Sequence, residues 1–453
     1  MKFRRFHPLY SLHIVRKGLA LCLLPMLRAL LHFDWASLVL ALQQDALILL
    51  LLLAFSFAAW QLSGWRLEGD LLTIQLGILF HLRQQVRIPE LASAVVTRPF
   101  FFRLMGASRL TVYTQRSLPG SITLFLPRRD AEALARALMP DELENPVFAP
   151  VGADRLSMLV LGFNVTLTGL MAVYSARKTL YELAPFLTQT AWQGLLQAEA
   201  LVSRVLPAGL AWLVTLAFLF YVFSLGYNFL CRANLRVARG DTILVARYGL
   251  LRLTERRVRL SAVTSCQVRV TPAARLLRRY PVYLAAGHDQ GRESPLFLCR
   301  KGDWFSLRRL MPGLYLPPSR YESGRGRSLP SFFWFPAGGG ALCLLLLILS
   351  RTLWPAYTFL FLFGLFFFGC LGLQAAEGYR REGVGRIGSS LTLCYTRRLT
   401  RYEVCVFTDL TRTVFRQNPF SKQKDRGTFT LKLPAARYRI RSIPARIARE
   451  LPL

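Results

Sequence analysis

The side chains with the most chemistry to offer in this 453-residue chain are basic ones set in short clusters. Arg252, Arg256, Arg257 and Arg259 share one run, and Arg278 and Arg279 follow in a later turn. Arg397, Arg398 and Arg401 form a third group, and Lys422, Lys424 and Arg426 a fourth. A guanidinium matches phosphate oxygens through two parallel N–H donors, so these twelve positions are candidate contacts to anionic lipid. Basic groups beside an anionic leaflet also gain about 1 kcal/mol each with no specific site at all. A third reading needs no ligand, because the same charges set topology and keep polar segments in solution. Composition leaves the three open.

Other chemistry is sparse. Gly383, Gly385 and Gly388 spell the glycine pattern of a dinucleotide site, but they follow an apolar segment rather than a strand, and no helix opens after them. No P-loop, serine nucleophile elbow, zinc-binding helix or paired-carboxylate spacing occurs. The five histidines (His7, His13, His32, His81, His288) are isolated from one another, and the eight cysteines include no CxxC pair. The expectation is therefore no metal, no cofactor, no disulfide framework and no enzymatic activity. The net charge of +33 would suit nucleic acid, but the basic residues crowd into polar segments on one side of apolar hairpins, which is the pattern of membrane topology. Nucleic acid is not an expected partner.

The elements that must position these clusters come from the apolar runs. With 53% hydrophobic residues in long Leu- and Phe-rich stretches, the chain reads as a multi-pass membrane protein. Six spans are expected, at 18–31, 46–62, 156–174, 205–230, 331–349 and 354–374, paired as three hairpins. The first is short and holds Arg28; it reads as a tilted span, with an interfacial helix as the alternative. Five basic residues precede it within the first 17, so both termini and the polar segments are expected on the cytoplasmic side. The spans carry too few polar groups for an ion or proton relay.

Each hairpin leads into a polar module. In the first, residues 71–76, 80–88, 94–97, 109–114 and 121–126 alternate apolar and polar as half-buried strands do, and 130–138 switches to helical period before Pro140. A gapless copy of much of this lies 172 residues later: Gly249 matches Gly77, Val258-Arg259 matches Val86-Arg87, Arg275-Leu276 matches Arg103-Leu104, and Leu310-Met311-Pro312 matches Leu138-Met139-Pro140. The second module offers strands at 242–247, 258–260, 264–270, 282–285 and 296–298 and a helix at 303–310. The third, a more divergent copy, offers strands at 391–395, 402–408, 413–416 and 428–433 and a helix near 444–451. The expected division is 1–63 with the first hairpin, 64–140, 141–231 with an outer loop at 175–204, 232–316, a linker at 317–330, 331–375, and 376–453.

Gly77, Arg87-Ile-Pro-Glu90, Arg103-Leu-Met-Gly106, Thr111-Val-Tyr-Thr114 and an early Phe6-His-Pro8 follow one another in a familiar order. In this the chain resembles the second type of bacterial pleckstrin-homology-like (PH-like) domain, found in YdbT-like multi-pass membrane proteins. Where relatives carry a basic residue and Ile-Gln after the proline, this chain has Leu91-Ala-Ser. The resemblance implies an α+β membrane protein: six transmembrane helices in three hairpins, each hairpin followed by a small split β-barrel capped by a C-terminal helix. It implies a bacterial inner membrane, a smaller PH-like membrane protein as partner and no particular activity, while exposed strand edges offer a physical route to a homo-oligomer. The functional expectation is a non-enzymatic envelope scaffold or stress-protection factor. Its modules would bind the bilayer, anionic lipids or proteins; a transport or export component using the six spans is the alternative.

Overall fold

The computed structural model describes residues 3–18, 35–77, 82–115, 120–140, 146–161, 229–291, 295–300, 329–353, 358–387, 390–397, 399–407, 412–417, 419–434 and 436–450, with a few single positions between 193 and 226. In chain order the elements are β1 (Arg4–Arg5), α1 (Leu9–Gly18), α2 (Trp35–Leu62), β2 (Gly64–Glu68), β3 (Leu71–Leu76), β4 (Leu82–Arg87), β5 (Leu91–Pro99), α3 (Phe100–Leu104), β6 (Ala107–Thr114), β7 (Ser121–Pro127), α4 (Arg128–Leu138), β8 (Pro146–Phe148) and α5 (Ala153–Leu161). Then come β9 (Arg236–Arg239), β10 (Ile243–Tyr248), β11 (Arg252–Arg259), β12 (Val263–Val270), α6 (Pro272–Leu277), β13 (Arg279–Ala286), β14 (Phe297–Arg300), α7 (Pro330–Leu353) and α8 (Thr358–Arg381). The chain closes with β15 (Gly383–Ile387), β16 (Ser390–Arg397), β17 (Thr400–Val406), β18 (Arg412–Arg416), α9 (Pro419–Lys422), β19 (Arg426–Lys432), β20 (Arg437–Pro444) and α10 (Ala445–Glu450). The fold is mixed α+β with antiparallel sheets.

Among the described residues, three helices are long and apolar enough to cross a membrane: Gln43–Leu62, Pro330–Ser350 and Phe361–Arg381. Their flanks leave large apolar side chains uncovered, among them Leu50, Phe55, Leu345 and Phe366, as lipid-facing helices do. Their polar side chains are satisfied locally, with Ser56 and Ser350 donating to the carbonyls of Leu53 and Leu347 at 2.9 Å. The spans expected at 18–31, over most of 156–174 and over nearly all of 205–230 lie outside the described residues, as does the helix expected at 303–310.

The chain divides into two compact units. Residues 1–147, 236–263 and 285–290 form one, and 148–235, 264–284 and 291–453 the other. Strand pairing sets this division. In unit one the sheet order is β7-β6-β5-β11-β10-β9-β8, so β11 of the second module lies antiparallel on β5 of the first, with Thr254 opposite Thr97 and Val258 opposite Ser93. In unit two the order is β14-β13-β12-β17-β16-β15, and β17 of the third module lies on β12 of the second, with Cys405 opposite Cys266. Two smaller sheets, β1-β2-β3-β4 and β18-β19-β20, complete the fold, one in each unit.

Alternation explains the core of unit one. Leu72 and Ile74 of β3, Val86 of β4, Ala94 and Val96 of β5, Leu110 and Val112 of β6 and Leu124 and Leu126 of β7 point to one interior, which Ile243 and Val245 of β10 also enter. Helix α4 closes it with Ala131, Leu134, Ala135 and Leu138, spaced along one helical face; burying a leucine such as Leu134 contributes about 1.5–3 kcal/mol. Its first amide donates to the Gly106 carbonyl at 2.9 Å, Asp130 sits in its first turn, and Pro140 follows its end. In unit two, Val384, Leu393, Val404, Phe429, Leu431 and Ile440 form a corresponding core between the β15-β16-β17 end of the long sheet and the β18-β19-β20 sheet. Gly77 and Gly249, which follow β3 and β10 at corresponding places, have φ of 116° and 104°, which a side chain would disfavour.

Candidate functional site

The β5–β11 join is where the first arginine cluster lies. Arg256 Nε and Nη2 approach Asp289 Oδ2 at 2.8 and 2.7 Å, and Ser93 Oγ donates to the same oxygen at 2.8 Å. Arg257 Nη2 pairs with Glu255 at 2.9 Å, and its Nη1 donates to the Met139 carbonyl at 3.1 Å. Both arginines are only 4% exposed. Arg259 donates to the Pro89 carbonyl at 2.8 Å, and burial lowers its pKa. Burial would raise the pKa of Glu255, but the charges of Arg247 and Arg257 outweigh it and hold the carboxyl below its usual range. These basic groups therefore face protein carboxylates and carbonyls, which removes Arg256 and Arg257 from the solvent-facing set. The loop before Asp289 fits closely: Gly287 has φ 51°, its amide donates to the Ala262 carbonyl, and a Cβ there would stand 2.3 Å from the Thr114 oxygen.

The remaining candidates divide by exposure. Arg279 pairs with Asp154, Arg401 lies 2.5 Å from Glu403, and Arg426 is buried and donates to the Ser442 carbonyl at 2.9 Å. Arg252 is half-buried, while Arg278, Arg397, Lys422 and Lys424 are exposed. Arg398 lies outside the described residues.

What sequence reasoning missed is apolar. After β12, Thr271 caps α6 by accepting from the Ala274 amide at 3.0 Å, Pro272 occupies its first turn, and Arg278 ends it with φ 52°. This short helix projects Leu276, 84% exposed, and Leu277 beside Arg275 and Arg278. Arg275 Nη2 lies 2.5 Å from Glu377 Oε1, near the Arg380-Arg381 end of apolar helix α8. At the matching place after β5, α3 projects Phe101 and Leu104, 74% and 71% exposed, with Met105. Arg103 ties this tip to the exposed Leu250-Leu251 turn by donating to the Leu250 carbonyl at 3.1 Å. The signal was present as Phe100-Phe-Phe-Arg-Leu-Met105, an apolar run inside a polar module.

A cleft of about 310 Å³ lies beside β2 and α4, lined by Arg4, Trp65, Arg66, Asp130 and Leu134. Arg4 stacks 5.6 Å over the Trp65 ring, and the buried Trp65 Nε1 has no partner among the described residues. No group of three or more metal-ligating side chains occurs among the described residues.

The β2–β7 strands and the closing α4 lie within a stretch that matches a family model. Residues 19–141 match the bacterial PH domain family. That span runs from the first apolar stretch through the end of α4, so a PH-like domain follows the first membrane-compatible helix. No curated protein matches the chain, and no solved structure does.

Proposed function

We propose that this is a non-enzymatic integral membrane protein whose modules lie on anionic headgroups at the inner face of a bacterial membrane, as an envelope scaffold of the YdbT-like kind. The observation that carries the reading is the α6 tip. Leu276 and Leu277 project into solvent between two arginines, and Arg275 is held by Glu377 at the end of an apolar helix. A membrane boundary at that helix end places the tip where leucines can enter the acyl edge and guanidiniums can meet phosphates. The α3 tip repeats the arrangement with Phe101, Leu104 and Arg103. Because most of the strand arginines pair within the protein, the lipid contacts are assigned to these tips and to Arg278, Lys422 and Lys424.

Spin labels at Leu276 and Leu104, in the full chain reconstituted in nanodiscs, test this. The expected result is high oxygen and low nickel-chelate accessibility in anionic discs, with shallower burial in neutral ones. Labels equally water-accessible in both would sink the membrane-surface reading.

A further inference from the structure

Both internal joins obey one rule. A strand that precedes a short connection (β11 or β17) pairs antiparallel with the strand that follows the corresponding connection one module earlier (β5 or β12). By position β4 is the first module's counterpart of β11 and β17, and β18 is the third module's counterpart of β5 and β12. The backbone agrees: the Ile88 amide donates to the Asp70 carbonyl at 2.8 Å, and 172 residues later the Leu260 amide donates to Thr242 at 2.8 Å. Amides alternate along a strand, so those of Val86 and Gln84 turn toward β3, and those of Arg83, Gln85 and Arg87 turn outward. On β11 the outward row, at Glu255, Arg257 and Arg259, faces β5.

On β4 the same row faces no strand among the described residues, and β4 is the edge of its sheet. The far side of β18 is likewise an edge, since β18 pairs only with β19 among the described strands. One vacant acceptor and one vacant donor thus remain, of the two kinds that join twice inside the chain. We propose that β18 of one copy pairs antiparallel with β4 of a second copy, continuing the internal joins head to tail. Because the two surfaces differ, the contact is heterologous, building rings where its rotation closes and open rows where it does not.

Register carries over by spacing. Ser93 faces Val258 and Ser265 faces Val406, each serine standing seven residues after its own module's buried valine; Thr413 stands seven after Val406. Thr413 then faces Val86, Arg412 faces Arg87, and Arg416 faces Arg83. Two facing arginine pairs oppose the join, so added salt strengthens it, the reverse of electrostatic lipid binding.

The test uses the full chain with a benzoylphenylalanine photo-probe in place of Val414, mixing isotope-labelled and unlabelled copies. The proposal expects a ladder of dimers and larger species, mixed-isotope cross-links to residues 82–87, and yields that rise with salt. Gln85→Pro removes an outward amide without touching the β3 ladder, and should abolish those links at unchanged melting temperature; Arg83→Pro serves if that variant unfolds. Cross-links confined to one copy, cross-links to a different protein, or links that persist in a folded Gln85→Pro chain would each overturn the proposal.

Discussion

Asp289→Ala is the substitution with the largest expected cost, because Arg256 and Ser93 both converge on the Asp289 carboxylate. Two guanidinium nitrogens and a hydroxyl lie within 2.8 Å of one oxygen, in a site where arginine and aspartate are both buried. Removing the carboxylate leaves a desolvated cation without its counter-charge, which costs about 3–5 kcal/mol. Ser93→Ala, which keeps the ion pair, should cost about 1.5 kcal/mol. Hydrogen exchange of the β11 amides in the detergent-solubilised full chain reads this locally, since those amides open when the β5–β11 join opens. At 1.4 kcal/mol per decade, Asp289→Ala should speed exchange across Arg252–Arg259 by roughly two to nearly four orders of magnitude, with amides of the unit-two core unchanged. Replacing both partners with apolar residues, Arg256→Met with Asp289→Leu, should recover most of the loss. Less than tenfold acceleration in Asp289→Ala would show that the pair does not hold the join, and the assignment of Arg256 to internal structure would fall.

Three further outcomes are expected. Gly287→Ala combines a positive φ with a close approach to the Thr114 carbonyl and the Ala92 side chain, so it should lower the melting temperature and expose the same β11 amides. Glu255, held below the usual carboxylate range, stabilises the fold fully above its unfolded value of about 4.3 and loses that contribution as pH falls toward its folded value. The melting-temperature gap between wild type and Glu255→Gln should therefore be constant near neutrality and close in acid. Burial and the neighbouring Glu403 carboxylate push the Cys394 thiol up to about 12, so it should resist maleimide at pH 8 until the chain is denatured.

Much of the local structure was legible because it is written in short periods. The strands β3, β4, β6 and β7 and the helix α4 fall where alternation and helical spacing place them. The strands β1, β2, β8, β9, β15 and β20 were not expected. Gly64-Trp-Arg-Leu-Glu68 follows an apolar helix with one residue between, and Gly383-Val-Gly-Arg-Ile387 was weighed as a glycine pattern rather than as a strand paired with β16. Partnership was less legible still. The run Arg252-Leu-Thr-Glu-Arg-Arg-Val-Arg259 reads as a solvated basic strand, and nothing within it says that Val95 and Ala94 lie opposite Arg256 and Arg257. The carboxylate that buries Arg256 stands 33 residues away, beyond two further strands. Register between distant strands is a property of the folded pair and has no period along one chain.

The shared sheets also set a timetable for synthesis. Strand β5 leaves the ribosome about 150 residues before β11, which at about 5–20 residues per second is a wait of roughly 8–30 s. For that interval Leu91–Pro99 is a finished strand with an empty side, while a further apolar stretch is still being made. A product terminated before residue 252 would keep that side empty permanently, so nonsense truncation in this region should yield a product that sticks to itself and to chaperones rather than a stable smaller domain.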